Sequence, residues 1–430
     1  MQRFVKKLNK LFKIVGPGVI TGAADDDPSG IATYSQTGAQ FGYGQLWTAL
    51  FMLPLQVGVQ EACARIGAVT GKGIAWVVKE HYNKWVLYIV VFLVLIANTI
   101  NIGADIGAMA AAAKLVIPLN FVLLTLFFTA FMLILEIFTS YKVYSNILKW
   151  LCLSLMAYPL TVFIANQPWE NILRATFLPH FEFNFQFLFI ITGVLGTTIS
   201  PYMFFWQASE ETEEERKEHL LRADGNKPRI NYEFIKNLRI DNFIGMFFSE
   251  VATWSIILVS ATVLNSHGIT DVGTAADAAK ALEPLVKTFP NAGYLAKLIF
   301  ATGIIGLGLL SVPVLAGSAA YALGEALDWK VGLNLKLKRA HGFYGVITIA
   351  TLIGLMINFV GIDPIKALVY TAVINGVVAV PLIFIIGVIA KSNKIMGKYK
   401  SGILSNVLIW ATFTGMALAV IAMIIAFTKI

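Results

Sequence analysis

The chain has 430 residues, of which 57% are hydrophobic and only 13% are Asp, Glu, Lys or Arg, where a soluble domain carries about a quarter charged residues. So little charge cannot coat a soluble protein of this size, which excludes aqueous globular folds, disordered chains and secreted disulfide scaffolds. The net charge of +8 fits the cytoplasmic loops of a membrane protein, which collect Lys and Arg, better than it fits a nucleic-acid surface. The class is all-α polytopic membrane protein, with the lipid bilayer as a partner and no nucleic acid.

The first thirteen residues are basic through Arg3, Lys6, Lys7, Lys10 and Lys13. They run into a long apolar segment without a small-residue cleavage site, so no cleaved signal peptide is expected. A spanning helix needs roughly 20 mostly apolar residues. About eleven spans are expected, near 14–40, 45–69, 85–110, 119–139, 146–165, 186–208, 240–264, 294–323, 342–360, 365–390 and 404–428. The longest connections are 209–239 and 265–293, and neither reads as a separate soluble domain, so 1–430 is a single transmembrane domain.

With the N-terminus inside, the loops 1–13, 70–84, 140–149, 209–239, 324–341 and 391–402 hold about 25 of the 33 Lys and Arg, against about seven outside. That bias predicts a multi-pass protein of the cell (inner) membrane with a cytoplasmic N-terminus and an extracellular C-terminus. The acid-dense run from Glu210 to Glu218 reads first as a solvated helix extension, with an ion funnel at a cytoplasmic mouth as the alternative. Cys63 and Cys152 lie in apolar stretches and suggest neither a disulfide nor a zinc site.

Two spans are interrupted. Span 1 contains Gly22, Asp25, Asp26, Asp27, Pro28, Ser29 and Gly30, and span 6 contains Gly196, Thr197, Thr198, Ser200 and Pro201. Proline lacks an N–H and clashes with the preceding turn, so each helix should open there. Irregular backbone at membrane depth is tolerated only inside protein or beside a water-filled cavity. The breaks are five spans apart, which points to inverted five-helix repeats (about 14–165 and 186–390, with an extra helix at about 404–428) and a substrate site between the two breaks.

A charged side chain at membrane depth usually faces a cavity and marks an ion pathway. Successive helical residues differ by about 100°, so one or two of the three aspartates should line it. Asp27, next to the proline, is the expected direct ligand and Asp26 a second acidic contact. Asn98, Asn101 and Asp105 fall on one face of span 3; the asparagines have interhelical hydrogen bonding as a competing role, while Asp105 is expected at the cavity. The cluster is rich in oxygen, and all five histidines (His81, His180, His219, His267, His341) lie in loops or at span ends. Such ligands suit hard cations such as Mg²⁺ or Mn²⁺ over zinc, copper or iron. Gly30 and Ser200 leave room for retained water. Glu61 and Arg65 are expected to pair at i, i+4. Glu136 lies near the end of span 4, and Glu250, deeper in span 7, reads first as structural, with contact to the permeation path as the alternative.

At these residues the chain resembles NRAMP divalent-metal transporters. Gly16-Pro17-Gly18, Asp27-Pro28-Ser29-Gly30 and Gly38-Ala39-Gln40-Phe41-Gly42-Tyr43 resemble the family's first helix, and Ala64-Arg65-Ile66-Gly67 with Thr70-Gly71-Lys72 continues the resemblance. It implies a LeuT-like inverted-repeat fold with helices 1 and 6 broken, and alternating-access transport of a divalent metal. The family motif Asp-Pro-Gly-Asn has Gly30 in place of its metal-binding Asn here. The family motif Ala-Thr-Val-Met-Pro-His aligns with Thr197 to Tyr202, so the thioether becomes Ser200 and the histidine becomes Tyr202. The resemblance also implies main-chain oxygen ligands at Ala24 and Thr197, and an acidic position linked to proton movement at Asp105. These departures look like the NRAMP-related magnesium transporter branch.

The expected function is import of Mg²⁺ and/or Mn²⁺ as cargo, without a cofactor and without proton coupling. The alternative is a proton-coupled Mn²⁺/Fe²⁺ importer. An organic substrate bearing a carboxylate would meet three aspartates, which is electrostatically poor. An enzyme is not expected, since no intramembrane His cluster, HExxH or phosphate loop appears. The sequence leaves the oligomeric state open, and a monomer is compatible with it.

Overall fold

The computed structural model describes residues 21–22, 24–138, 156–164, 167–217, 228–333 and 335–429. The basic N-terminal stretch, Cys152, His219 and most of the expected span 146–165 lie outside the described residues.

The first break separates a helical lead-in ending at Asp25 from α1 (Pro28–Phe41). There follow α2 (Trp47–Thr70), the short α3 (Ile74–His81), α4 (Lys84–Lys114), α5 (Phe121–Phe138), α6 (Ala157–Ile164) and α7 (Trp169–Phe177). The second break lies between α8 (Phe185–Thr198) and α9 (Pro201–Lys217). The chain continues through α10 (Tyr232–Val263), α11 (Ala292–Ala326), α12 (His341–Ile357), α13 (Pro364–Lys391) and α14 (Ile403–Phe427). Among the described residues, seven segments are long and apolar enough to cross a membrane: α4, α5, α8–α9 taken together, α10, α11, α13 and α14.

Local chemistry sets many of the helix starts. The side chains of Asn83, Asn184 and Asn231 accept from backbone N–H groups at the starts of α4, α8 and α10, at 3.0, 2.8 and 2.8 Å. Asp363 does the same for α13, accepting from the Ile365 N–H at 2.9 Å, with Pro364 in the first turn. Each satisfies an N–H that the helix leaves orphaned.

Helices in a bilayer gain little from the hydrophobic effect and pack closely through small residues. Around the breaks this packing is extreme. A Cβ on Gly22 would stand 2.4 Å from the Gly245 carbonyl carbon on α10, and one on Gly196 would stand 2.1 Å from the Ala372 carbonyl oxygen on α13. The broken segments therefore sit backbone to backbone against their neighbours. At the periphery α14 exposes Leu418, Ile421, Ile424 and Ile425, as a lipid-facing helix should.

Glu61 and Arg65 pair as their spacing predicts. The Arg65 Nε–H and one terminal N–H donate to the two Glu61 oxygens, both at 2.9 Å. Arg65 also donates to the Tyr399 carbonyl at 2.7 Å and to Ser401 Oγ at 2.8 Å, and Arg239 Nε donates to Glu61 at 2.8 Å. The pair thus joins α2 to α10 and to the segment before α14. Glu136 is buried in α5.

The acid run is not a solvated helix extension. It does continue α9, but Glu210, Glu211, Glu213 and Glu215 are all buried. The segment after α11 folds back over it. Glu213 accepts from the Tyr321 hydroxyl and, at 3.0 Å, from the Leu333 N–H, while Gln207 donates to Glu211 at 2.8 Å. Pattern alone reads a charge run as wet; here α11 and the segment after it, far along the chain, supply donors to Glu213.

Candidate metal centre

Both interruptions are real openings of the helix. Asp27 is extended (φ −68°, ψ 172°) and Ile199 has φ −114° and ψ 64°. Each break leads directly to a proline that starts the next helix, and the residue before a proline is biased away from helical geometry. The breaks meet inside the protein, where Ser29 Oγ and Thr197 Oγ1 share a hydrogen bond of 3.1 Å.

Asp27 stands at the centre of this junction. It N-caps α1, with Oδ1 accepting from the Gly30 N–H at 2.8 Å and the Ser29 hydroxyl at 2.6 Å. The positive end of the helix dipole favours a carboxylate at that position. Thr197 Oγ1 approaches the same oxygen at 3.5 Å. Oδ2 accepts from Asn101 Nδ2 at 2.9 Å. α1, α4 and α8 therefore all hold one carboxylate.

The span 3 stripe divides its tasks. Asn101 serves Asp27, whereas Asn98 donates to the Leu315 carbonyl on α11 at 2.9 Å, the interhelical role. Asp105 accepts from Ser311 on α11 at 2.7 Å. It shares the stripe with Asn101, and Ser311 ties it to α11.

Ser200 turns its hydroxyl back along the second break, donating toward the carbonyls of Thr197 at 2.6 Å and Gly196 at 2.9 Å. Its oxygen keeps lone pairs for another partner. The Tyr202 hydroxyl donates to the Ala24 carbonyl at 3.3 Å and so links α9 to the lead-in before the first break. The room expected at Gly30 is taken in this arrangement: a Cβ there would stand 3.1 Å from Tyr34 Cε2 and 3.5 Å from Thr197 Oγ1. Tyr34 is held in place by a 2.8 Å hydrogen bond to Thr198 Oγ1.

The other two aspartates face elsewhere. Asp25 Oδ2 accepts from Gln56 Nε2 and from Ser249 Oγ, the latter at 2.9 Å. Asp26 Oδ1 lies 3.3 Å from the same serine oxygen. Gln56 also donates to the Thr198 carbonyl at 3.0 Å, so a single amide spans both breaks. Tyr34, Gln56, Ser249 and Ser311 belong to this region without having been singled out from the sequence. Each is a polar residue on a mostly apolar helix, a signal easily assigned to packing.

Ala24, Asp25, Asp26, Asp27, Asp105, Thr197, Ser200 and Tyr202 are each 3% exposed or less, so the centre is closed to solvent on both sides. Among the described residues, no group of three or more carboxylate, imidazole or thiol side chains is placed to hold a metal ion. The arrangement suits an ion that keeps part of its water and takes few protein oxygens. A separate cavity of about 330 Å³ lies at one end of the bundle, lined among others by Lys72, Trp76, Glu213, Arg216, Glu325 and Asp328.

Similarity to known proteins agrees with this architecture. The chain is 25% identical over 374 residues to the divalent metal cation transporter MntH of Caldanaerobacter subterraneus subsp. tengcongensis, covering 86% of this chain and 82% of that protein. It is 27% identical over 310 residues to the protein of the same name from Mesorhizobium japonicum, covering 70% and 65%. In three dimensions it resembles the Eremococcus coleocola manganese transporter with a TM-score of 0.75 at 15% identity, over 97% of this chain and 86% of that one. It also resembles Mhp1, a nucleobase-cation-symport-1 family transporter, with a TM-score of 0.58 at 13% identity, over 96% and 90%. The fold is the LeuT-like inverted repeat with helices 1 and 6 broken. The sequence model of one family, described as natural resistance-associated macrophage protein-like, matches residues 18–426. The chain belongs to the Nramp family.

Proposed function

We propose that this protein is a carrier that imports Mg²⁺ and/or Mn²⁺ by alternating access, uncoupled from protons, in the manner of the NRAMP-related magnesium transporter branch. The observation that carries the reading is Asp27, a carboxylate at the meeting point of two broken helices, with Asn101 on its Oδ2. The relatives named as divalent metal and manganese transporters support a divalent cargo. Ser200 and Tyr202 stand where the family motif has a thioether and a histidine. Without sulfur the site has no preference for soft metals. Without histidine it lacks the side chain that ordinarily titrates near physiological pH.

In the proposed cycle the N-terminus is cytoplasmic and the cation enters from outside between α1, α4, α8–α9 and α11. Asp27 binds it with the Ala24 or Thr197 carbonyl, the Ser200 hydroxyl and several waters. For the ion to dock, Ser200 swings off the Gly196 and Thr197 carbonyls and Tyr34 moves from beside Gly30. Rocking of the two broken helices then opens the inner side. The cavity between Lys72, Glu213 and Asp328 draws on three loops expected inside and serves as the exit. The driving force is membrane potential, about 4.6 kcal/mol per 100 mV for a divalent ion. The repeats run about 14–165 and 186–390.

Uptake into proteoliposomes tests the reading. Mg²⁺ accumulation driven by an inside-negative potential, with no internal acidification, is the expected result. Metal-driven acidification together with no competition by Mg²⁺ would establish the proton-coupled Mn²⁺/Fe²⁺ alternative instead. Ser200→Met should shift selectivity away from Mg²⁺ and toward softer ions. An unchanged ratio of Mg²⁺ to Mn²⁺ uptake would refute the argument from ligand softness.

A further inference from the structure

α11 carries Ser311, Ser318, Tyr321 and Glu325 at intervals of seven, three and four residues, which places them on one stripe of the helix. At one end of the stripe Ser311 donates to Asp105 at 2.7 Å. At the other end Tyr321 and Glu325 line the cavity of about 330 Å³, whose rim residues Arg216, Asp328 and Lys330 are exposed. Ser318, between the two ends, is buried, and its hydroxyl has no hydrogen-bond partner among the described residues. A polar track therefore runs along α11 from the level of Asp105 to the cavity.

Tyr321 closes this track. Its hydroxyl donates to Glu213 of α9, and the same carboxylate oxygen accepts from the Leu333 N–H at 3.0 Å. The Tyr321 ring packs edge-on against Trp206 of α9 and Phe343 of α12, with centroids 6.4 and 5.0 Å away. One carboxylate on α9, the half-helix that follows the second break, thus holds both the end of α11 and the segment behind it. Hydrogen bonds to a carboxylate are strong. Glu213 and Tyr321 nevertheless border the cavity, so water can replace each partner on release, and the net cost of parting is modest.

We propose that Tyr321, Glu213 and the Leu333 N–H form the inner latch of the carrier. Closed, the latch holds the end of α11 and the segment after it against α9 and seals the track from the breaks. Released, it lets α9 move away from α11 and joins the metal centre to the cavity. The inference rests on the reading of that cavity as the exit and adds the positioning residues that open and shut it.

Ser318→Cys puts a thiol one turn inside the latch with little change in volume. Its reaction with a water-soluble thiol reagent, on the purified full-length protein without metal, reads opening whatever ion is carried. Labelling should be slow with the latch intact. It should be roughly tenfold faster with Glu213→Ala, which leaves the Tyr321 hydroxyl and the Leu333 N–H without their acceptor, and faster by a smaller factor with Tyr321→Phe. Glu213→Gln keeps an acceptor oxygen and should restore most of the slow rate. Cys63, buried in α2, reports general loosening and should stay unreactive in every variant. In uptake from outside, Glu213→Ala should raise KM more than it changes the maximal rate, because less of the protein then faces outward. Unchanged labelling of Ser318→Cys in both Glu213→Ala and Tyr321→Phe, or labelling that rises in step with that of Cys63, would overturn the latch. Fast labelling in Glu213→Ala, with neither Mg²⁺ nor Mn²⁺ taken up by the wild-type protein, would instead count against the proposed cargo and leave the latch standing.

Discussion

Replacing Asp27 by alanine should abolish metal uptake into proteoliposomes, and replacing it by asparagine should lower metal affinity by roughly 100-fold or more. Hard dications are held chiefly by carboxylate charge, and Asp27 is the carboxylate that α1, α4 and α8 jointly position. The two variants separate function from folding. Asp27 also caps α1 through the Gly30 N–H, and loss of an N-cap to alanine costs about 1 kcal/mol. Asparagine keeps an acceptor for that cap while removing the charge. The expected pattern is a lower melting temperature for Asp27→Ala, a nearly unchanged one for Asp27→Asn, and no transport by either. Full uptake by a folded Asp27→Asn protein would remove the site from the mechanism.

Glu61→Ala should destabilise the protein by about 3–5 kcal/mol, the range found when one partner of a buried ion pair is removed. The Arg65 side chain is 1% exposed and that of Glu61 8%. Without Glu61, the guanidinium keeps the Tyr399 carbonyl and Ser401 but has no counter-charge. Glu61→Leu combined with Arg65→Met should recover most of the loss, since apolar replacement of a whole buried pair is often neutral or stabilising. Denaturant or thermal unfolding of the three proteins in detergent measures this. Losses that simply add in the double variant would show that the pair acts through something other than charge burial.

Much of this architecture is legible in the sequence because a bilayer forbids most alternatives. Pro28 and Pro201, each close behind glycine and polar residues at membrane depth, mark helix breaks, and both are found. The i, i+3, i+7 stripe of Asn98, Asn101 and Asp105 faces the protein interior as its spacing requires. The contacts that hold the centre together are not legible in this way. Gln56 reaches Thr198 and Ser249 reaches Asp25 across long stretches of chain, and neither carries a periodic signal. The acid run of α9 misleads for the same reason, since Glu213 takes its donors from Tyr321 and Leu333. Gly30 suggests open space, yet Tyr34, one helical turn later, closes it. Spacing at i, i+4 permits that contact, but only the fold shows that the ring turns inward.

The amide of Gln56 has a mechanical consequence for transport. With one hydrogen bond on Asp25 and another on the Thr198 carbonyl, it yokes the two half-unwound segments to a common strut on α2. Neither can tilt alone without forfeiting a bond that nothing apolar would replace. In the proposed cycle, opening toward either face of the membrane is thus a concerted movement, and a leak through both sides at once requires the yoke to fail.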